Sequence, residues 1–210
     1  KQFEKELAEY CNIPNVLCVN SGTTGLTAML HWFGITKGDE VIVPAYTYNA
    51  TAQSVMHCGA TPVMVDVKED FNIDPAKVKE AITPNTKAIM PVDIAGWPCD
   101  YDQLYKIVND PEIVKQFQPV TDNQQQLGRI LILSDAAHSI GGRYKGRKAG
   151  SLADITIFSF HAVKNLTTSE GGGIALNLPK PFNNGEIYKM LNTMLLHGQS
   201  KDAFTKQQAG

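Results

Sequence analysis

The chain has 210 residues, 43% of them hydrophobic, and carries 19 Lys plus Arg against 21 Asp plus Glu, a formal charge of −2. This is the composition of a folded domain with one sizeable core, and its near-neutral balance argues against a nucleic-acid groove, which needs clustered basic residues. No apolar run approaches the ~18 residues of a spanning helix, and the charged start at 1–10 is unlike a signal peptide, so a cytoplasmic protein without a membrane partner is expected. Cys11, Cys18, Cys58 and Cys99 lie far apart and form no CxxC pair, which predicts reduced thiols.

Along the chain, apolar and β-branched runs at 16–19, 40–43, 62–65, 88–92, 130–133 and 155–158 predict strands. Helical patterns at 24–33, 49–58, 75–82 and 100–108 fall between them. Strands alternating with helices, and apolar on consecutive positions, predict an α/β fold: three layers, α/β/α, around a mostly parallel sheet covered on both faces. Gly34 and Gly38 read as the close of the first core helix, and Gly59 as a left-handed cap. Asp74-Pro75 reads as an N-cap with proline at the first helical position. The polar, weakly periodic stretch 109–128 is expected to be a surface insertion. Residues 187–197 predict an amphipathic helix, and 200–210 an exposed tail.

Four stretches carry side chains suited to chemistry, each with an ordinary structural reading beside it. Asn20-Ser21-Gly22-Thr23-Thr24-Gly25 follows a strand and opens a helix, where N–H groups, the helix dipole and hydroxyls can hold a phosphate; a plain Ser/Thr cap would look similar. The run 130–133 leads into Ser134-Asp135-Ala136-Ala137-His138, an acid at a strand end with small residues that leave room for something flat; Asp135 could equally cap a turn. Phe158-Ser159-Phe160-His161-Ala162-Val163-Lys164-Asn165 puts a lysine just behind a strand and before Gly171-Gly172-Gly173, where partial burial would favour a nucleophilic amine; a surface lysine is the alternative. Pro44-Ala45-Tyr46-Thr47-Tyr48-Asn49 offers an aromatic plate or a core tyrosine. A flat, phosphorylated aldehyde would use all four together, which describes pyridoxal 5′-phosphate.

With these motifs in order, the chain resembles the DegT-type sugar aminotransferases among the fold-type I pyridoxal-phosphate enzymes, over residues 3–204. The resemblance is carried by Asn20-Ser21-Gly22-Thr23-Thr24, Gly38-Asp39-Glu40-Val41-Ile42-Val43-Pro44, Gly59-Ala60-Thr61-Pro62-Val63, Asp135-Ala136-Ala137-His138, Tyr144-Lys145-Gly146-Arg147-Lys148-Ala149-Gly150-Ser151 and the Phe158 to Asn165 motif. It implies that Lys164 bonds covalently to the cofactor and then shuttles a proton. It implies that Asp135 pairs with the pyridine nitrogen, that Tyr48 stacks on the ring and that His138 lies near the ring hydroxyl. Gly22, Thr23, the Thr24 backbone and Ser159 are implied to hold the phosphate. The implied reaction moves an amino group, from glutamate, to a nucleotide-linked keto sugar, in a homodimer with the active site at the subunit interface.

The resemblance also implies a smaller C-terminal domain beyond 1–210, so this chain is expected to be the cofactor-binding large domain without it. Ser134 stands where many relatives have Glu, and Asp93 where many have His. Related sugar dehydratases are implied to replace the lysine with histidine, and Lys164 weighs against that reading. A pyridoxal-phosphate-binding module without turnover is the remaining alternative.

Overall fold

The computed structural model describes residues 1–195. Its strands are β1 (Asn15–Val19), β2 (Glu40–Pro44), β3 (Thr61–Val65), β4 (Thr86–Ile89), β5 (Leu131–Asp135), β6 (Arg143–Tyr144), β7 (Arg147–Lys148), β8 (Ile155–Ser159) and β9 (Gly172–Leu176). The helices are α1 (Gln2–Cys11), α2 (Gly22–Phe33), α3 (Asn49–His57), α4 (Pro75–Ala81), α5 (Tyr101–Val108), α6 (Pro111–Gln116), α7 (Asp122–Leu127) and α8 (Asn184–Leu195). His197 and the tail at 200–210 lie outside the described residues.

Seven strands form one sheet in the order β1-β9-β8-β5-β4-β2-β3. β8, β5, β4, β2 and β3 pair in parallel, while β9 runs antiparallel to both of its neighbours. Every strand of this sheet except β9 therefore points the same way. The C-terminal ends of β1, β2, β4, β5 and β8 share one edge with the start of β9, the edge where open α/β sheets bind ligands. Alternation sets the layers. Leu17, Ile157 and Ile174 face a core shared with α2, whereas Val16, Phe158 and Ala175 face Leu7 and Cys11 of α1 on the other side.

β9 was not among the predicted strands, because its glycines read as a loop. They are there for close approach. A Cβ on Gly172 would lie 2.5 Å from the Ser21 carbonyl carbon and 2.7 Å from the Gly22 nitrogen. Glycine thus lets the first turn of α2 sit directly on the sheet edge. The expected N-cap at Asp74-Pro75 is present, with Asp74 accepting from the Ala76 N–H, and Gly34 closes α2 at φ +83°. Gly38 also has positive φ, but lies in the turn before β2.

The stretch 109–128, expected to be a surface insertion, carries two short helices and is exposed over most of its length. It folds into α6 and α7 because it is rich in local caps: Asp110 and Thr121 accept from Glu112 and Gln124 N–H groups, and Gly128 ends α7 at φ +69°. Its polar residues serve a neighbour. Asn123 Nδ2 donates to the Trp32 carbonyl, and Thr121 Oγ1 and Gln124 Nε2 donate to that of Phe33. These are the last two carbonyls of α2, which no further turn of helix can satisfy. The fully buried Gln124 is therefore a structural cap, invisible to a periodicity argument.

All four cysteines are free; three are buried and Cys18 is half-buried. Among the described residues, no helix is long and apolar enough to cross a membrane.

Candidate active site

A cavity of about 460 Å³ opens at the shared strand edge, lined by residues that include Ser21, Gly22, Thr23, Thr47, Tyr48, Asp93, Asp135, Ala137, His138, Ser159, His161 and Lys164. They come from the ends of several different elements, so the sheet brings together residues far apart in sequence, from Ser21 to Lys164. A larger hollow of about 770 Å³ lies between α1, β1 and Tyr188, and is lined by none of the predicted site residues.

The acid that ends β5, Asp135, is deeply set, at 7% exposed. Burial pushes its carboxyl above the usual carboxylate range. Four influences oppose that shift: the Thr51 hydroxyl, 2.8 Å from Oδ2, the Ala137 N–H, 3.3 Å from Oδ1, and the charges of His138 and Lys164. Thr51 in turn lies 2.8 Å from the Thr47 hydroxyl. Because Thr51 gives its proton to Asp135, it must accept from Thr47. Neither threonine was singled out in the sequence; a buried β-branched residue in the first turn of a helix carries no distinguishing signal.

Lys164 is half-buried, and its Nζ lies 2.7 Å from His138 Nε2. A lysine ammonium only donates, so His138 accepts as a neutral ring. Desolvation and the lysine charge both lower its pKa, while Asp135 opposes them. One acid and two nitrogen bases thus share the cavity.

At the other end stands the first turn of α2. Ser21 caps it, accepting from the Thr24 N–H at 3.1 Å and pairing with the Thr24 hydroxyl at 3.0 Å. Thr24 is thereby engaged in the cap, whereas Gly22 and Thr23 face the cavity. A Cβ on Gly22 would lie 3.3 Å from that of Ser159, which puts the Ser159 hydroxyl beside this turn. Free N–H groups at the start of a twelve-residue helix can hold an anion. Tyr48, just before α3, lines the cavity yet is 76% exposed, so it is an open plate rather than a core residue. Tyr46 instead packs against Phe71 at 5.1 Å.

The model of the DegT/DnrJ/EryC1/StrS aminotransferase family matches residues 1–210. The chain belongs to this family. It is 44% identical over 177 residues to GDP-perosamine synthase of Caulobacter vibrioides, covering 84% of this chain and 43% of that protein. It is 38% identical over 207 residues to spore coat polysaccharide biosynthesis protein SpsC of Bacillus subtilis, covering 98% of this chain and 47% of that one. The apo-form of the putative sugar aminotransferase Spr1654 of Streptococcus pneumoniae matches with a TM-score of 0.92 at 44% identity, over 96% of this chain and 50% of that one. The same protein has been solved in PLP- and PMP-forms, each with a TM-score of 0.91 to this chain. The chain thus spans about half the length of the relatives it matches, and the expected α/β/α architecture is the one it shares with them.

Proposed function

We propose that the protein is a pyridoxal 5′-phosphate-dependent aminotransferase, moving an amino group from glutamate to a nucleotide-linked keto sugar in cell-surface glycan or related amino-sugar biosynthesis. The observation that carries this reading is the convergence of Lys164, Asp135, His138 and the N-terminus of α2 on one cavity. Its volume of about 460 Å³ is within the ordinary range for small-molecule sites. The donor set also fits the cofactor chemically: an amine for an aldehyde, a buried acid for a ring nitrogen, and helix N–H groups with Ser159 for a phosphate. Membership of the family, and a relative solved in both PLP- and PMP-forms, support the same reading.

When bound, the cofactor supplies an electron-withdrawing pyridinium that takes up the electron pair released at the substrate's amine-bearing carbon. The protein's own residues do the rest. Asp135, its ionised form favoured by Thr51 and the Ala137 N–H, would stabilise a proton on the ring nitrogen. Lys164 anchors the cofactor through its amine; with that amine free, it takes a proton from the substrate carbon and returns one. His138, 2.7 Å from Lys164, offers a neutral acceptor that keeps the lysine aimed into the cavity. Gly22, Thr23 and Ser159 would hold the phosphate and so set the register of the cofactor. Tyr48, exposed at the cavity, would supply an aromatic face for the ring.

We place the working enzyme in the cytoplasm as a homodimer. Tyr46, Tyr48, Trp97 and Val163 are 55%, 76%, 67% and 78% exposed in the single chain, and a second copy would cover such apolar surface. The test is to load the full chain with pyridoxal 5′-phosphate, add glutamate, and follow 2-oxoglutarate release and the change in cofactor absorbance. Screening nucleotide keto sugars for amination then identifies the acceptor. Cofactor uptake without release of any 2-oxo acid, from glutamate or any other donor, would refute turnover and leave a binding module.

A further inference from the structure

Asp93 stands just beyond β4 with its side chain 1% exposed. Its carboxylate gathers three donors: the Cys99 N–H at 3.0 Å and the Tyr101 hydroxyl at 2.9 Å on Oδ1, and the Ser139 hydroxyl at 2.8 Å on Oδ2. Having given its proton to Asp93, Tyr101 must accept from the Ser134 hydroxyl, 2.6 Å away. The Asp93 backbone N–H donates to the Asp135 carbonyl at 3.1 Å. Ser134 and Ser139 flank the segment that carries Asp135 and His138. One buried carboxylate therefore grips that segment at both ends, directly at Ser139 and through Tyr101 at Ser134.

The segment has need of such a grip. Ala137 leaves the cavity open and gives little side-chain packing of its own, whereas Ala136, 1% exposed, packs among the core residues under α1. Backbone bonds hold its start, the Asp135 N–H on the Pro91 carbonyl and the Ala136 N–H on that of Ile157, and the Asp93 side chain adds the ties at Ser134 and Ser139. We propose that Asp93 is a positioning residue: its carboxylate holds residues 134–139 so that Asp135 and His138 present their polar atoms to the cavity and His138 meets Lys164. The inference builds on the reading of this cavity as a cofactor site, but its geometry can be tested without cofactor.

The experiment compares Asp93→Asn with Asp93→Ala in the full chain. Both remove the charge. Asparagine keeps an oxygen for Cys99 and Tyr101 and an amide group for the Ser139 oxygen, whereas alanine keeps nothing. The first measurement is the His138 ring titration by NMR in cofactor-free protein. The charged groups facing that ring are Lys164 and Asp135. Lysine charge and desolvation hold its midpoint down, so a displaced ring titrates higher. The midpoint of Asp93→Ala is therefore expected above that of Asp93→Asn, and its affinity for pyridoxal 5′-phosphate about tenfold or more weaker.

A role confined to fold stability would lower the melting temperature of Asp93→Ala but leave both midpoints equal, and equal midpoints would overturn the proposal. Should Asp93→Ala not fold, Ser139→Ala cuts the direct link while keeping the carboxylate. Its His138 midpoint is expected above the parent's, and an unchanged midpoint overturns the proposal. A parent chain that takes up no pyridoxal 5′-phosphate refutes the proposed function instead, and the His138 comparison still decides the role of Asp93.

Discussion

Replacing Thr51 with valine keeps the shape of a fully buried side chain and deletes the hydroxyl that donates to Asp135 Oδ2 at 2.8 Å. Hydrogen bonds to charged groups contribute about 1.5–3 kcal/mol, and this one is shielded from water on both sides. The carboxyl, already pushed up by burial, loses the hydrogen bond that chiefly opposes that push. Its neutral form gains, and a neutral acid cannot stabilise a ring-nitrogen proton. If the whole loss reaches the transition state for proton removal, the half-reaction with glutamate slows by ~10- to 150-fold. Single-turnover absorbance decay of the loaded enzyme measures this rate. Because a higher carboxyl pKa is overcome at higher pH, the deficit should shrink as pH rises, and the acid limb of the profile should move to higher pH. Thr51→Ser retains the hydroxyl and should restore most of the rate. Thr47, half-buried, can turn its freed proton elsewhere, so the fold should survive. A Thr51→Val enzyme with full cofactor occupancy and a rate within about twofold of the parent would refute the idea that this hydroxyl sustains the charge on Asp135.

Further predictions follow from the same geometry. Gly172→Ala forces a methyl group to within 2.5 Å of the Ser21 backbone, so it should displace the first turn of α2, weaken cofactor binding measured by fluorescence, and cost about 1–3 kcal/mol of stability. Arg129→Ala leaves Asp154, 2% exposed and gripped at 2.7 and 2.9 Å, as an uncompensated buried charge; chemical denaturation should show a loss of about 3–5 kcal/mol. Gln124→Leu removes one donor from the end of α2 and should lower stability by about 1–2 kcal/mol without changing cofactor affinity. Burial pushes Asp93 up to about 6 from an ordinary 3.8. Between those values the folded chain holds a proton that the unfolded chain releases, so this group's contribution to stability falls as pH rises through the window. Asp93→Asn should flatten that slope in denaturation curves measured across it.

The parallel sheet was legible because strands covered on both faces are apolar at every position, as in Leu131 to Leu133 and Ile155 to Phe158. Caps at Asp74 and Gly34 were legible because one residue type dominates each geometry. β9 escaped because Gly172 and Gly173 are chosen for contacts with α2 and Phe160, and no local pattern reports such long-range crowding. The helices α6 and α7 escaped because Gln124 and Asn123 look like surface residues until the open end of α2 is in view. In the site, Lys164, Asp135 and His138 were found by motif, and the cavity does gather them. Thr51 and Asp93, which hold Asp135 and its segment, could not be assigned these roles from sequence. Their importance lies in partners 84 and 46 positions away, Asp135 and Ser139.

The central claim is that Lys164 is the amine that carries the cofactor. Full-length chain loaded with pyridoxal 5′-phosphate should be reduced with borohydride, digested and mapped by mass spectrometry. The pyridoxyl group is expected on the peptide containing Lys164, and none in Lys164→Ala. A pyridoxyl group on any other lysine, persisting in Lys164→Ala, would contradict it.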